Sequence, residues 1–143
     1  MYNLFELDEW KIIERSFDPL KQKQAESIFS IGNGCFGQRA NFEETYSGDS
    51  LIGSYVGGVY YPDKTRVGWW KNGYPEYFAK VLNSCNWIGI NIEVNGEFLD
   101  LNKQTILSFY RELDMKQGLL IRRFRVRFDS GKELEVASTR LCS

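Results

Sequence analysis

The sequence predicts an all-β fold, an antiparallel β-sandwich preceded by a short irregular or helical segment. Two observations in the second half of the chain lead to this prediction. Apolar and polar residues alternate along several short stretches, as they do when one face of a strand packs inward. Turn sequences containing glycine separate these stretches, at Asn95-Gly96, Gln117-Gly118 and Asp129-Ser130-Gly131. Short strands joined by tight turns are typical of a sandwich or barrel.

The predicted strands follow one another with short connections. They span residues 87–94, 97–100, 106–113 and 119–128, and a further strand begins at residue 134. The side chains expected on their inward faces are Ile88, Ile90, Ile92, Val94, Leu107, Phe109, Leu113, Phe124, Val126, Phe128, Leu134, Val136 and Cys142. Arg111 interrupts the inward face of its strand. Upstream, Asp18-Pro19 predicts a helix N-cap followed by proline at the first helical position, with a short helical turn over residues 20–25.

Composition and charge exclude several classes of function. Lys and Arg (18) nearly balance Asp and Glu (19), which argues against a nucleic-acid partner because a phosphate backbone selects for net positive charge. No apolar run reaches the ~18 residues of a membrane span, so no membrane partner is expected. The sequence has no histidine and no CxxC pair, which excludes histidine-based catalysis and argues against a zinc site. Three cysteines without paired spacing fit a cytoplasmic protein.

The segment from Glu26 to Glu44 contains the most distinctive motif of the sequence. Gly32, Gly34 and Gly37 have the G-x-G-x-x-G spacing of a dinucleotide-binding loop, but that loop must open a helix, and the residues after Gly34 alternate with strand period. We therefore favour a tight turn between two strands, with Asn33-Gly34 as the turn pair. A loop that contacts a ligand directly is the remaining alternative.

An aromatic segment offers a second candidate contact surface. Trp69, Trp70 and Tyr74 lie among glycine and proline, close to Tyr77 and Phe78. Aromatic faces stack on sugar rings, so the segment is a candidate for carbohydrate contact. Large aromatic side chains are also enriched at interfaces, and we favour contact with a neighbouring domain.

Charged residues are weaker candidates for a functional site than the glycine-rich and aromatic segments. The carboxylates nearest to these segments are Glu43, Glu44, Asp49, Asp63 and Glu76. Two of them could flank a glycosidic bond, but the sequence does not set the ~5–9.5 Å separation that such chemistry needs. Arg123, Arg125 and Arg127 share an outward strand face, and we expect them to pair with Glu133 and Glu135 on the next strand.

Four ordered motifs carry a resemblance to a known family. They are "ESIFSIGNGCFGQRANFEE" from Glu26, "GSYVGGVYY" from Gly53, "VLNSCNWIGINIEVNGEFLDL" from Val81 and "YRELDMKQGLLIRRF" from Tyr110. Together with the opening "WKIIERSF" from Trp10, they resemble the N-terminal part of glycoside hydrolase family 65, the maltose, trehalose and kojibiose phosphorylases. Cys85 and Ala40 depart from the family's usual proline and glycine without affecting the expected fold.

The resemblance implies a supersandwich-like domain over residues 1–143 that supports a catalytic (α/α)6 barrel lying outside this chain. The family's reaction is phosphorolysis, with inorganic phosphate as co-substrate and a barrel glutamate as general acid. The chain stops inside or just after a strand, so we expect an incomplete, truncated N-terminal portion of the sandwich. No catalytic residue and no cofactor are therefore expected here. The expected partners are the barrel, a possible second copy of the parent enzyme, and the disaccharide through the parent.

The residues expected to contact carbohydrate or a neighbouring domain are Gly32, Asn33, Gly34, Arg39, Trp69, Trp70 and Tyr74. Two alternatives to a supporting domain stay open. A self-standing carbohydrate-binding module would use the aromatic residues, and an autonomous hydrolase would use the carboxylates. No metal site is expected.

Overall fold

The structure, a computed structural model, describes residues 5–65 and 75–143. Its N-terminal part contains β1 (Glu6–Leu7), β2 (Lys11–Glu14), a short 3-10 helix (Pro19–Lys21) and α1 (Gln22–Ile28). The carboxylate of Asp18 accepts a hydrogen bond from the Leu20 N–H at 3.0 Å, which confirms the predicted N-cap. The helical segment is longer than the predicted turn, because α1 continues to Ile28.

Ten further strands follow in the described residues, all of them short until the last three. They are β3 (Ile31–Gly32), β4 (Phe36–Gln38), β5 (Ser54–Val56), β6 (Tyr60–Lys64), β7 (Tyr77–Val81), β8 (Glu93–Val94), β9 (Glu97–Phe98), β10 (Thr105–Asp114), β11 (Leu119–Arg127) and β12 (Glu133–Leu141). The central sheet has the order β1-β2-β10-β11-β12. β3-β4-β5 form a second sheet, and β6-β7 and β8-β9 form separate hairpins. Every one of these pairings is antiparallel, as predicted.

The central sheet has one buried and one exposed face along β11, whereas residues 111–114 of β10 are buried on both faces. Phe124 and Val126 are buried, whereas Arg123, Arg125 and Arg127 are exposed, as the alternation predicts. The guanidiniums of Arg125 and Arg127 both pair with the Glu133 carboxylate on β12, at 2.8 and 2.7 Å. The predicted cross-strand pairing is therefore confirmed for these two arginines, and the outer face of the sheet is a solvated one.

Two apolar clusters fill the space over the buried face. The larger one joins the central sheet to the β8-β9 region and to the segment around residue 42, and consists of Phe42, Leu99, Leu101, Phe109, Phe124, Val126 and Phe128. The smaller one packs α1 and its C-cap against the other end of the sheet, through Ala25, Phe29, Ala40, Leu113 and Leu120. The second layer of the fold therefore consists of α1, the small strands and the loops between them.

The predicted strand from residue 87 to 94 is wrong for most of its length. Only Glu93–Val94 form a strand, while Trp87 and Ile90 are 43% and 52% exposed. The backbone N–H of Ile90 donates to the Glu43 carbonyl at 2.8 Å, outside any strand pairing. Alternation of apolar and polar residues does not show whether another strand lies alongside to pair with. An extended segment that lacks such a partner is a loop.

Two predictions about β10 also need correction. The register with β11 shifts between Ile106 and Ser108, so Ile106 packs against the core and Leu107 is exposed. A β-bulge of this kind reverses the facing of the residues before it. Arg111 does not interrupt the inward face, because its side chain is itself buried there, next to Phe109.

The predicted hairpin at Asn95-Gly96 is confirmed. Both residues have positive φ, 53° and 86°, which is the backbone conformation of a type I′ turn. The turns at Gly118 and Gly131 also lie where the sequence places them. In the part of the chain that the structure describes, no helix combines the length and apolar character needed to cross a bilayer.

Candidate functional site

The glycine-rich segment forms a hairpin turn between β3 and β4. The Asn33 side-chain oxygen accepts hydrogen bonds from the backbone N–H groups of Cys35 and Phe36, at 2.9 and 3.0 Å. Gly34 has φ +89°, a value that residues with a Cβ rarely adopt. A strand and not a helix follows, so the favoured interpretation as a tight turn is confirmed and the dinucleotide loop is excluded.

The turn gives a direct test of its backbone requirement. A Cβ at position 34 would meet no atom within 4 Å, so Gly34→Ala should lower the free energy of unfolding through backbone strain alone, by ~1–2 kcal/mol. Gly37→Ala is the matched control, because Gly37 lies in β4, its φ is not positive and its nearest contact would be 3.9 Å away. Urea unfolding of both variants measures the difference. Equal losses of stability would contradict the assignment of the strained position to Gly34.

Arg39 is directed away from this turn. Its Nη2 donates to the Ser27 hydroxyl at 2.5 Å and to the Lys23 carbonyl at 3.3 Å, both on α1. Arg39 therefore ties α1 to the segment after β4, and the structure does not group it with Gly32, Asn33 and Gly34. Trp69, Trp70 and Tyr74, the remaining predicted contact residues, lie outside the described residues.

The two carboxylates closest to the glycine-rich segment are held by arginines. Arg122 donates through Nη1 to Glu44 at 2.8 Å and through Nη2 to both Glu44 and, at 2.6 Å, Glu43. Arg140 Nε donates to the other oxygen of Glu43 at 2.5 Å. Both guanidiniums are largely buried, and Arg122 also lies 4.4 Å above the Phe42 ring.

This arrangement opposes the use of Glu43 as a catalytic acid. Burial alone would raise the pKa of the Glu43 carboxyl, but the guanidiniums of Arg122 and Arg140 outweigh it and hold the pKa below its usual value. A general acid in a glycosidase needs the opposite shift, since it must keep a proton near neutral pH. Glu43, Glu44, Arg122 and Arg140 form a structural ion network, which joins the segment around residue 43 to β11 and β12.

The other weighed carboxylates are near the surface. Asp49 pairs with Lys23 at 2.7 Å, and Asp63 pairs with Lys80 at 2.5 Å. Glu76 is exposed. Within residues 5–65 and 75–143, no group of three or more Asp, Glu or Cys side chains is arranged to hold a metal ion. Of the five carboxylates considered, four are held in ion pairs, so no two of them form the free pair that hydrolysis needs.

Exposed apolar side chains are the most unusual feature of the surface. Phe36, Val56 and Trp87, which we call the Phe36–Trp87 patch, are 38%, 37% and 43% exposed and line a cavity of about 280 Å³. The rings of Phe36 and Trp87 meet edge to face, with centroids 6.0 Å apart. The sequence prediction missed this patch because it assigned Trp87 to a strand and named no surface around the residues that follow the glycine turn.

The β6-β7 hairpin is a second exposed apolar surface. All five residues of β7 are exposed, and its aromatic side chains Tyr77 and Phe78 alternate between the two faces of the hairpin. On β6, Tyr60 and Tyr61 are likewise exposed. Among the described residues, both faces of this hairpin carry exposed aromatic side chains. An isolated two-stranded hairpin is marginal in water, and exposed apolar surfaces of this kind mark sites of interaction.

Two of the three cysteines lie at the surface of the structure. Cys35 and Cys85 are exposed free thiols, and Cys142 is half-buried. Cys35 occupies the hairpin turn and Cys85 lies in the loop before Trp87. Turn positions of this kind carry no inward face, so alternation does not bury them.

Comparisons with known proteins point to one family. The sequence model described as "Glycosyl hydrolase family 65, N-terminal domain" matches residues 12–143. A maltose phosphorylase of Bacillus subtilis (strain 168) is 51% identical over 140 residues, which make up 98% of this chain and 18% of that protein. An alpha,alpha-trehalose phosphorylase of Thermoanaerobacter brockii is 35% identical over 147 residues, with 98% and 18% covered.

A solved structure is similar to this chain in both sequence and fold. A putative kojibiose phosphorylase from human microbiome superposes with a TM-score of 0.83 at 36% identity, covering 96% of this chain and 18% of that one. The match confirms the all-β antiparallel fold. The chain thus spans about 18% of the length of each of these relatives.

Proposed function

Because this chain belongs to glycosyl hydrolase family 65 as an N-terminal domain, we propose that it is a non-catalytic part of a glycoside phosphorylase. The substrate is an α-glucosidic disaccharide such as maltose, with inorganic phosphate as co-substrate. The 51% identity to a maltose phosphorylase along nearly the whole chain is the observation that carries this proposal. The identity to a trehalose phosphorylase is lower, at 35%, which favours maltose over trehalose.

The engagement of Glu43 and Glu44 by arginines supports the non-catalytic assignment. Phosphorolysis with phosphate as nucleophile requires one general acid, and both Glu43 and Glu44 are engaged by guanidiniums. The acid and the phosphate-binding groups are therefore assigned to the (α/α)6 barrel that the family resemblance implies. The role of this chain is to brace that barrel.

The β6-β7 hairpin is the surface we assign to this role. Its exposed aromatic side chains on both faces resemble the core of a protein interface, in which Tyr and Phe are enriched. A flat sugar-binding platform would use the rings of one face and leave those of the other face exposed to water. Packing of the hairpin against the barrel would bury the apolar surface that is otherwise exposed to water.

A domain transplant tests the proposal. In the Bacillus subtilis maltose phosphorylase, this chain would replace the matching 140 residues. We expect the chimera to release glucose 1-phosphate from maltose and phosphate at a rate within about tenfold of the natural enzyme, since a loss of ~1.4 kcal/mol at the interface is tolerable. The same enzyme without the segment should be inactive. Full activity of the truncated enzyme would contradict a supporting role.

Carbohydrate binding by the chain itself is a second candidate, favoured by the exposed rings of Tyr60 and Tyr77 on one face of the hairpin. Titration of the 143-residue chain with maltose, followed by NMR, decides between the two. The supporting role predicts no chemical-shift change at millimolar sugar. Saturable shifts of the hairpin residues would favour the binding module.

A further inference from the structure

Asn-Gly pairs occur twice in closely matching surroundings. The pairs are Asn33-Gly34 and Asn95-Gly96, and a further one at Asn72 lies outside the described residues. Both described pairs form hairpin turns, both asparagines are exposed, and the glycines have φ of 89° and 86°. Sequence and exposure therefore do not distinguish Asn33 from Asn95, and a difference in their reactivity has to come from how the fold holds the two side chains.

The Asn-Gly sequence is chemically reactive in water. The deprotonated backbone nitrogen of the glycine attacks the side-chain carbonyl carbon of the asparagine, and a new C–N bond closes a succinimide ring. The bond to the side-chain nitrogen breaks, and this nitrogen leaves as ammonia after it has taken up a proton. Water then adds to a ring carbonyl and breaks a C–N bond of the ring, which leaves aspartate or isoaspartate. Glycine favours the attack because it has no Cβ to crowd its nitrogen.

Asn33 is restrained by hydrogen bonds at both ends of its amide. Its Oδ1 accepts from the backbone N–H groups of Cys35 and Phe36 at 2.9 and 3.0 Å, and its Nδ2 donates to the Ser143 carbonyl at 2.7 Å. Its backbone N–H donates to the Phe36 carbonyl at 3.1 Å, so the main chain beside the amide is fixed as well. Rotation of the Asn33 amide toward the Gly34 nitrogen must break these bonds first.

Asn95 lacks such restraints. Within residues 5–65 and 75–143, its exposed side chain makes no hydrogen bond. The turn that contains it connects β8 and β9, two strands of two residues each that form a separate hairpin. A turn in so short a hairpin opens at low cost. The Asn95 amide is therefore free to rotate toward the Gly96 nitrogen without losing a hydrogen bond.

We propose that Asn95 is a modification site, at which the folded chain deamidates spontaneously, whereas the hydrogen bonds of Asn33 protect the same dipeptide in the other turn. The co-reactant is water, so the chemistry needs no enzyme and is independent of the proposed function. Each product carries a carboxylate where the amide was neutral. The new negative charge lies in the same hairpin as Glu93 and Glu97.

Peptide mapping of the 143-residue chain by mass spectrometry tests the proposal. The chain is incubated at mildly alkaline pH with a reducing agent for its cysteines, in one sample folded in buffer and in the other unfolded in concentrated guanidinium chloride. Digestion at acidic pH then stops the cyclisation. The mass gain from amide to carboxyl is measured for the Asn95 peptide and for the Asn33 peptide, which is the internal control. The Asn72 peptide is measured separately and does not enter the comparison.

In the folded chain we expect Asn95 to deamidate at least about tenfold faster than Asn33, because Asn33 reacts only after its turn has opened. In the unfolded chain the two rates should agree within about twofold, since both asparagines precede glycine and neither keeps its native hydrogen bonds.

Three results would overturn the proposal. The first is a folded chain in which Asn33 reacts as fast as Asn95 or faster. The second is a difference of the same size in the unfolded chain, which would assign it to the neighbouring sequence and not to the hydrogen bonds of Asn33. The third is an Asn95 that stays intact in the folded chain while the unfolded chain reacts to completion.

Discussion

Replacement of Arg111 by methionine is expected to lower the free energy of unfolding by ~3–5 kcal/mol, because it leaves the buried Glu14 carboxylate without its cation. Arg111 is 1% exposed, and its Nε and Nη2 contact the same Glu14 oxygen at 2.8 and 2.6 Å. Nη1 donates to the Ala40 carbonyl and Nη2 also donates to the Gln22 side-chain oxygen, both at 3.3 Å. The guanidinium also lies 4.9 Å from the centre of the Phe29 ring.

The double variant Arg111→Met/Glu14→Leu separates loss of packing from loss of charge pairing. Replacing a whole buried ion pair by apolar groups is often neutral, so the double variant should recover most of the stability lost in Arg111→Met, to within about 1–2 kcal/mol of the natural chain. Urea unfolding of four proteins, the natural chain, Arg111→Met, Glu14→Leu and the double variant, gives the coupling energy. If the double variant is less stable than Arg111→Met, the unpaired Glu14 carboxylate is not the cause of the loss.

Replacement of Arg122 by methionine should cost a similar ~3–5 kcal/mol at neutral pH, because the buried Glu44 carboxylate would lose its guanidinium partner and Glu43 would keep only Arg140. Arg125→Met is the matched control on the same strand. Arg125 points to the opposite face, its side chain is 51% exposed and it pairs with Glu133 on the surface. Surface pairs contribute ~0–1 kcal/mol, so the control should stay close to the natural chain.

The pH dependence of the Arg122→Met effect follows from the Glu43 pKa, which lies below its usual 4.5. A carboxyl with a depressed folded pKa stabilises the fold above its unfolded pKa, and this contribution disappears as the pH falls through the folded value. The natural chain should therefore lose this contribution below pH ~4.5, and the difference from Arg122→Met should shrink there. Unfolding curves at pH 7 and at about pH 3.5 measure this. A pH-independent difference would contradict the ion network.

Much of the fold follows from periodicity and turn chemistry. In β11, Phe124 and Val126 alternate with arginines and lie between the turns at Gly118 and Gly131, so strand, facing and bounds are all set locally. The same reasoning places the Asn95-Gly96 hairpin and the Asn33-Gly34 turn. These features depend on residues near one another in the sequence, which is where sequence patterns carry information.

The parts that could not be predicted depend on distant partners. The inward positions of Arg111 and Arg122 are compatible with a sandwich core only because Glu14, Glu43 and Glu44 meet them from distant parts of the sequence. Trp87 begins a segment that alternates as a strand does, but no strand among residues 5–65 and 75–143 pairs with it. Strand pairing is a property of two segments, and one segment's pattern does not disclose whether its partner exists.

The candidate site was predicted in part. The glycine turn lies where the spacing indicated, and its geometry distinguishes it from a phosphate-binding loop. Phe36 and Trp87 were not predicted as contact residues, because their exposure depends on which strands surround them. An apolar residue in a sequence predicts burial. Whether it lies in an exposed patch depends on which other elements cover it, and the sequence does not show that.

The most direct test of the central claim is an assay of the isolated 143-residue chain with maltose and inorganic phosphate, after circular dichroism has established that the chain is folded. The account predicts a β-rich spectrum and no release of glucose 1-phosphate above the protein-free reaction. Turnover of maltose by the purified chain would place the acid and the phosphate site within these residues and contradict the account.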